Sequence, residues 1–177
     1  MKIGILGGGR VGGPLAERWK AAGHDVTIST RDTIAETAAG ADAVLLAVPS
    51  RVAVDVLAAA GPLEGTVVID ATNNLSGGPD GAAIAAAVPG VHVVKAFNTV
   101  FAQLFAAPPV PAASLVYSGD DAAAKELVAG LVRDAGFEPV DGGGSDATPH
   151  VEAFAKLVIG IAYRQGRGPF AYRFDSA

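Results

Sequence analysis

Ile3-Gly4-Ile5-Leu6-Gly7-Gly8-Gly9-Arg10-Val11-Gly12-Gly13 reads as an apolar strand that runs into a glycine-rich turn and out into a helix. Gly7, Gly9 and Gly12 carry the spacing G-x-G-x-x-G. In that pattern the first glycine makes the tight turn, the second admits a diphosphate to the backbone, and the third lets helix and strand pack closely. The diphosphate is then expected at the positive end of the first helix, held by backbone N–H groups. Pro14 suits a first helical turn, whose N–H groups lack intrahelical partners anyway.

Outward from this turn, strand and helix signals alternate, the pattern of βαβ units and a parallel sheet. Strands are predicted at Lys2–Leu6, Asp25–Ser29, Ala43–Val48, Thr66–Asp70, His92–Lys95, Ser114–Ser118 and Glu138–Val140. Helices are predicted at Val11–Ala22, Thr33–Ala39, Arg51–Ala60, Asp80–Ala87, Asp121–Ala135 and His150–Tyr163. Pro108, Pro109 and Pro111 imply a rigid extended loop after Phe105. Asp141-Gly142-Gly143-Gly144-Ser145-Asp146 reads as a loop able to act as a hinge or lid before the last helix.

The expected fold class is α/β, a Rossmann-like, doubly wound, mostly parallel sheet in a single domain that spans residues 1–177 and ends in a helical segment near residues 149–163. A length of 177 residues fits one domain. Half the residues are apolar yet only 6% are aromatic, and small and β-branched side chains suit parallel strands under helices. The net charge of −5 gives no basic patch, so nucleic acid is not an expected partner. The chain has no cysteine, which removes disulfides, thiolate metal sites and a thiol nucleophile. No apolar run reaches the ~18–20 residues of a membrane span, and Met1-Lys2-Ile3-Gly4 reads as a strand and not a signal peptide. A cytoplasmic protein is the expectation.

Which dinucleotide is bound turns on the end of the second strand, ~20 residues beyond the glycines, where NAD-binding versions carry an acid on the ribose 2′-OH. Here that place falls at Thr30, followed by Arg31. A hydroxyl beside a guanidinium fork suits a 2′-phosphate, hence NADP(H). Asp32 keeps NAD open, because a shift of one or two residues in the strand end brings a carboxylate to the ribose.

These stretches stand in order with Ala47-Val48-Pro49, Val67-Val68-Ile69-Asp70-Ala71-Thr72-Asn73 and Val93-Val94-Lys95-Ala96-Phe97-Asn98-Thr99. The combination resembles the F420-dependent NADP oxidoreductases nearly end to end, and the run from Val94 to Thr99 is its most specific part. The resemblance implies a Rossmann-like domain with extra strands on its sheet, commonly dimeric. It implies NADP(H) contacts at Gly7, Gly8, Gly9, Arg10, Val11, Gly12, Thr30, Arg31, Val48, Pro49, Ala71, Thr72, Ala96 and Asn98. Coenzyme F420, a deazaflavin, is then expected against the nicotinamide near Pro49, Asn98 and the loop before the final helix. Arg10 departs from the Asn usual in that family.

Hydride transfer between two carbons needs them held ~3–3.5 Å apart in a water-excluded site, with no metal and no nucleophile. Pro49, Thr72, Asn73 and Asn98 fall at the carboxyl ends of strands, where open α/β sheets bind ligands. Asn98 and Thr99 are candidates for the nicotinamide carboxamide, with a helix N-cap the alternative for Asn98. Lys95 reads either as a counter-charge to a reduced deazaflavin or as a solvated strand end. His92 alternates with valines and reads as structural, while His150 reads as a cap or a pocket residue. Competing functions are an NADPH-dependent reductase of a flavin, imine or carbonyl, and a non-catalytic NADP(H) sensor. The apolar segment through Val158, Ile159, Ile161, Tyr163, Phe170, Tyr172 and Phe174 reads as a core strip or a homodimer contact.

Overall fold

The computed structural model describes residues 1–75 and 80–175. Its strands are β1 (Lys2–Leu6), β2 (Asp25–Ile28), β3 (Ala43–Leu46), β4 (Val67–Asp70), β5 (His92–Lys95), β6 (Ser114–Tyr117) and β7 (Glu138–Asp141). Its helices are α1 (Gly12–Ala21), α2 (Ile34–Ala38), α3 (Ala53–Ala59), α4 (Gly81–Ala86), α5 (Ala102–Ala106), α6 (Ala122–Asp134) and α7 (Thr148–Ile159). Among the described residues no helix is long and apolar enough to cross a membrane.

Five strands form a parallel sheet in the order β2-β1-β3-β4-β5. Strand order therefore reverses between β1 and β3, which opens a crevice at their carboxyl ends. The strands are short and rich in Val, Ile and Leu because both faces are covered. On one face Ile3, Ile5, Leu45, Ile69 and Val94 pack with Leu15 and Trp19 of α1 and with Val128 and Val132 of α6. On the other, Leu6, Val44, Leu46 and Val68 meet Ala53 and Leu57 of α3 and Ile84 of α4. The fold is the doubly wound α/β architecture expected.

The extension is a parallel pair, β6 and β7, joined to β5 through one antiparallel bridge. There Lys95 N–H donates to Ser118 O at 2.8 Å and Ser118 N–H to Lys95 O at 3.0 Å. Asp80 and Asp121 cap α4 and α6 by accepting from the N–H groups of Ala83 and Ala124.

Three local expectations change. The segment before the prolines is helical over α5, a single short turn too brief to show a period. The predicted 51–60 helix opens with a 3₁₀ turn, Ser50–Val52, because Pro49 at its cap holds an extended backbone. The last helix starts at Thr148 with Pro149 in its first turn and closes in a π-helical turn, Gly160–Arg164. Beyond it the tail turns back on the chain. Ser114 N–H donates to Tyr172 O at 2.8 Å, and Phe154 meets the Tyr172 ring edge-on.

Candidate active site

Three glycines of the first turn differ in what a side chain would meet. Gly7 has φ +109°, a conformation that favours glycine, and a Cβ there would lie 2.5 Å from Ala47 O on β3's exit. A Cβ on Gly12 would lie 2.1 Å from Gly7 O and 2.8 Å from the Ile5 side chain, so helix and strand touch at that point. At Gly9 a Cβ would meet nothing within 4 Å. The packing of the protein itself requires glycine at 7 and 12, and at 9 it leaves open space. No side chain caps the first turn of α1, and Gly8, Gly9 and Arg10 are exposed at its mouth.

At the end of β2, Thr30 Oγ1 lies 3.0 Å from Thr33 Oγ1 and accepts from Asp32 N–H at 3.3 Å. The Arg31 side chain beside it is exposed and has no hydrogen-bond or ionic partner among the described residues. Val48 is half-buried and Pro49 exposed at the exit of β3, while Ala71 and Thr72 are buried at the exit of β4.

The chain after β5 turns sharply at Phe97, whose φ of +65° is rare for a residue with a bulky side chain. Its ring is fully buried, edge-on to Trp19 at 5.6 Å and tilted on Phe105 at 6.1 Å, and these contacts hold the turn. The turn delivers Asn98 and Thr99 to a cavity of about 260 Å³, whose wall also includes Arg10, Val11, Asn73 and Tyr163. Asn98 Nδ2 donates to Asn73 Oδ1 at 3.3 Å, and Asn73 Nδ2 returns a bond to the Asn98 carbonyl at 2.8 Å. Asn98 is only 4% exposed, yet its Oδ1 has no hydrogen-bond partner among the described residues. Thr99 Oγ1 accepts from the Tyr172 hydroxyl at 2.7 Å and keeps its own proton to give. Asn98 is thus not a helix cap; Phe101 occupies that position on α5.

Lys95 fits neither sequence reading. It is 2% exposed; its ammonium donates to Asp70 Oδ2 (2.9 Å) and Thr72 O (2.7 Å) and forms an ion pair with Glu152 Oε1 (2.9 Å). The ammonium is a buried clamp between β4, β5 and α7, with no face left for a ligand. His92 is exposed, 3.8 Å from Asp121, and His150 is exposed without capping α7. Ala96 is fully buried and takes no part in the cavity walls. The glycine loop 142–144 lies away from the cavity and is tied down. Gly143 O accepts from Gly119 N–H and from Lys125 Nζ, and Ser145 N–H donates to Asp120.

Sequence reasoning missed Gln103 and Tyr163, which face each other at the cavity mouth. Gln103 Nε2 donates to the Tyr163 hydroxyl at 3.3 Å. The π-helical turn that carries Tyr163 is a common device at functional sites, but no sequence signal marks it. A larger groove of about 910 Å³ lies between α1, α5 and α6, away from Arg10, Asn98 and Thr99, and reaches Pro14 and Ala106. Its cation, Arg18, is used internally, donating to the carbonyls of Leu104, Phe105, Ala107 and Ala135.

Comparison with known proteins adds to this geometry. A family described as NADP oxidoreductase, coenzyme F420-dependent, matches residues 2–39. A crystal structure from Arthrobacter sp. FB24, of a protein provisionally named an F420-dependent NADP-reductase, is 30% identical with a TM-score of 0.88, over 99% of this chain and 100% of that one. The hypothetical protein SMa0349 of Sinorhizobium meliloti is 26% identical with a TM-score of 0.71, over 99% and 96%. A reductive aminase of Aspergillus terreus, in complex with NADPH and ethyl levulinate, shares the fold at 20% identity and a TM-score of 0.72; this chain covers 62% of it.

Proposed function

We propose a hydride-transfer function on the premise that this chain belongs to the F420-dependent NADP oxidoreductase family. The reaction proposed passes hydride between NADP(H) and the deazaflavin coenzyme F420. When bound, the two cofactors supply the redox chemistry themselves, the nicotinamide giving or taking hydride at carbon and the deazaflavin doing the reverse.

The observation that carries this reading is Asn98, on the wall of the cavity beside the glycine turn, whose Oδ1 is buried with no hydrogen-bond partner among the described residues. A buried acceptor without a donor costs roughly 1–3 kcal/mol, which an amide N–H of a nicotinamide carboxamide would recover. Thr99, with its hydroxyl proton free, is suited to the carboxamide oxygen. Gly7 through Gly12 bring backbone N–H groups to the diphosphate, and the open space at Gly9 fits that close approach. Arg31 and Thr30 meet the 2′-phosphate, and Val48, Pro49, Ala71 and Thr72 border the crevice between. Phe101, Val158 and Ile159 make the cavity wall apolar and exclude water from the reacting carbons.

The test is stopped-flow absorbance after NADPH is mixed with oxidised coenzyme F420 and this protein. Rapid bleaching of the deazaflavin band is expected. A second reading, reduction of an imine or carbonyl, is favoured by one feature: the Tyr163 phenol on the cavity wall, which accepts from Gln103 and so holds a proton ready for a substrate heteroatom. No bleaching, with rapid reduction of a small carbonyl or imine, would select that reading.

A further inference from the structure

We infer that the Arg10 side chain recognises an anionic group on the hydride acceptor, a phosphate or carboxylate attached to its ring system. The inference rests on the reading that NADP(H) occupies the crevice, since it assigns the neighbouring space to the acceptor.

The cavity at Asn98 shares Arg10, Ala102 and Gln103 with a second hollow of about 510 Å³, which continues past Gly9 to Pro14 and Ala106. The two make one groove between the glycine turn and α5. Among the described residues its lining carries no Asp, Glu or Lys, so Arg10 is the one charged side chain among them on the wall, in a protein of net charge −5. Arg10 is exposed and has no ionic or hydrogen-bond partner among the described residues. A guanidinium is charged at any physiological pH and presents a planar fork matched to phosphate or carboxylate. An unpaired cation does nothing for the fold at this place; facing an otherwise neutral groove, it selects an anion.

Two anions compete for it, one on the acceptor and the diphosphate of the cofactor. The turn already offers backbone N–H groups to a diphosphate, and Arg10 lines the hollows on the α5 side, beyond the Asn98 wall. That placement favours the acceptor. Arg31, exposed at the end of β2, serves as the internal reference for a cation that meets the cofactor.

The experiment measures equilibrium binding of ring-matched acceptors to the NADP⁺-loaded protein by fluorescence quenching. The pairs are flavin mononucleotide against riboflavin, and coenzyme F420 against its uncharged deazaflavin riboside. The anionic member of each pair that binds should bind about ten- to a hundredfold more tightly. Arg10→Ala should bring the two members level, and Arg10→Lys should restore only part of the preference. Arg31→Ala should lower NADPH affinity and leave the acceptor preference in place. Equal binding of charged and uncharged members, or binding of none of the four, would overturn the inference. So would an Arg10→Ala protein whose NADPH affinity falls as far as that of Arg31→Ala while its acceptor preference persists. Tight, Arg10-dependent binding of an anionic acceptor that NADPH never reduces would uphold Arg10's role and sink the proposed reaction, so the two failures are distinguishable.

Discussion

Gly9 and Gly12 stand three residues apart in one turn, and a side chain would do opposite things at them. A Cβ at Gly12 collides with Gly7 O, so Gly12→Val should break the seating of α1 on β1 and yield little folded protein. A Cβ at Gly9 meets no protein atom, so Gly9→Val should fold normally and lose nucleotide binding. Circular dichroism beside an NADPH fluorescence titration separates the two, and unaltered affinity in a folded Gly9→Val protein would make the turn merely structural. Arg31 tests the other end of the crevice. Its guanidinium has no partner among the described residues, so Arg31→Ala removes no contact seen there and should leave stability unchanged. It should remove most of the preference for NADPH over NADH, about ten- to a hundredfold, from the loss of a charge-assisted bond of roughly 1.5–3 kcal/mol. Titration of the parent protein with both cofactors gives the baseline, and equal affinities there would reject the assignment.

Among the elements, α7 and α4 are held to the strand ends by charges that the sequence does not advertise. Lys95 on β5 meets Asp70 on β4 and Glu152 on α7, and Glu152 Oε1 also accepts from Gly81 N–H at the start of α4. Lys95→Met should leave two buried carboxylates facing each other, and breaking a buried ionic cluster in this way costs about 3–5 kcal/mol. A urea midpoint unchanged from the parent would show that the clamp contributes nothing net. The strands and the longer helices were legible because short continuous apolar runs such as Val67–Asp70 recur between helical stretches, and the apolar face of Ala122–Asp134 carries its own period. Lys95 was not, because Glu152 is 57 positions away and a lysine closing a strand looks solvated until its partner is known. Tyr163 was illegible for a related reason: only the π-helical turn after α7 swings it from an apolar strip to the cavity mouth. The glycine turn, by contrast, is a local device, and its geometry could be read from spacing alone.

At the scale of the whole molecule, the β6–β7 pair hangs on the main sheet by the single bridge at Lys95 and Ser118, and the tail reinforces that joint from outside. Tyr172 is the tail's anchor: its carbonyl accepts from Ser114 on β6, its ring packs on Phe154 of α7, and its hydroxyl donates to Thr99 in the site. Burial pushes the Tyr172 phenol up to about 12, because the phenolate would lose its hydration. The unfolded chain gives up that proton near 10, so the stabilisation is complete below pH 10 and is lost as the pH rises from 10 through about 12. Two pH units correspond to about 2–3 kcal/mol, a substantial part of the stability of a domain this size. Urea unfolding followed from pH 8 upward should therefore show the midpoint falling steeply above about pH 10. Tyr117, also raised by burial, contributes in the same direction, so Tyr172→Phe should reduce that slope without abolishing it. The same substitution should cost roughly 1 kcal/mol at neutral pH through the bond lost to Thr99. It should also weaken NADPH binding slightly, because Thr99 is then free to turn. An alkaline slope identical in parent and Tyr172→Phe would mean that the tail opens before its phenol ionises, and that the joint between the two sheets does not depend on it.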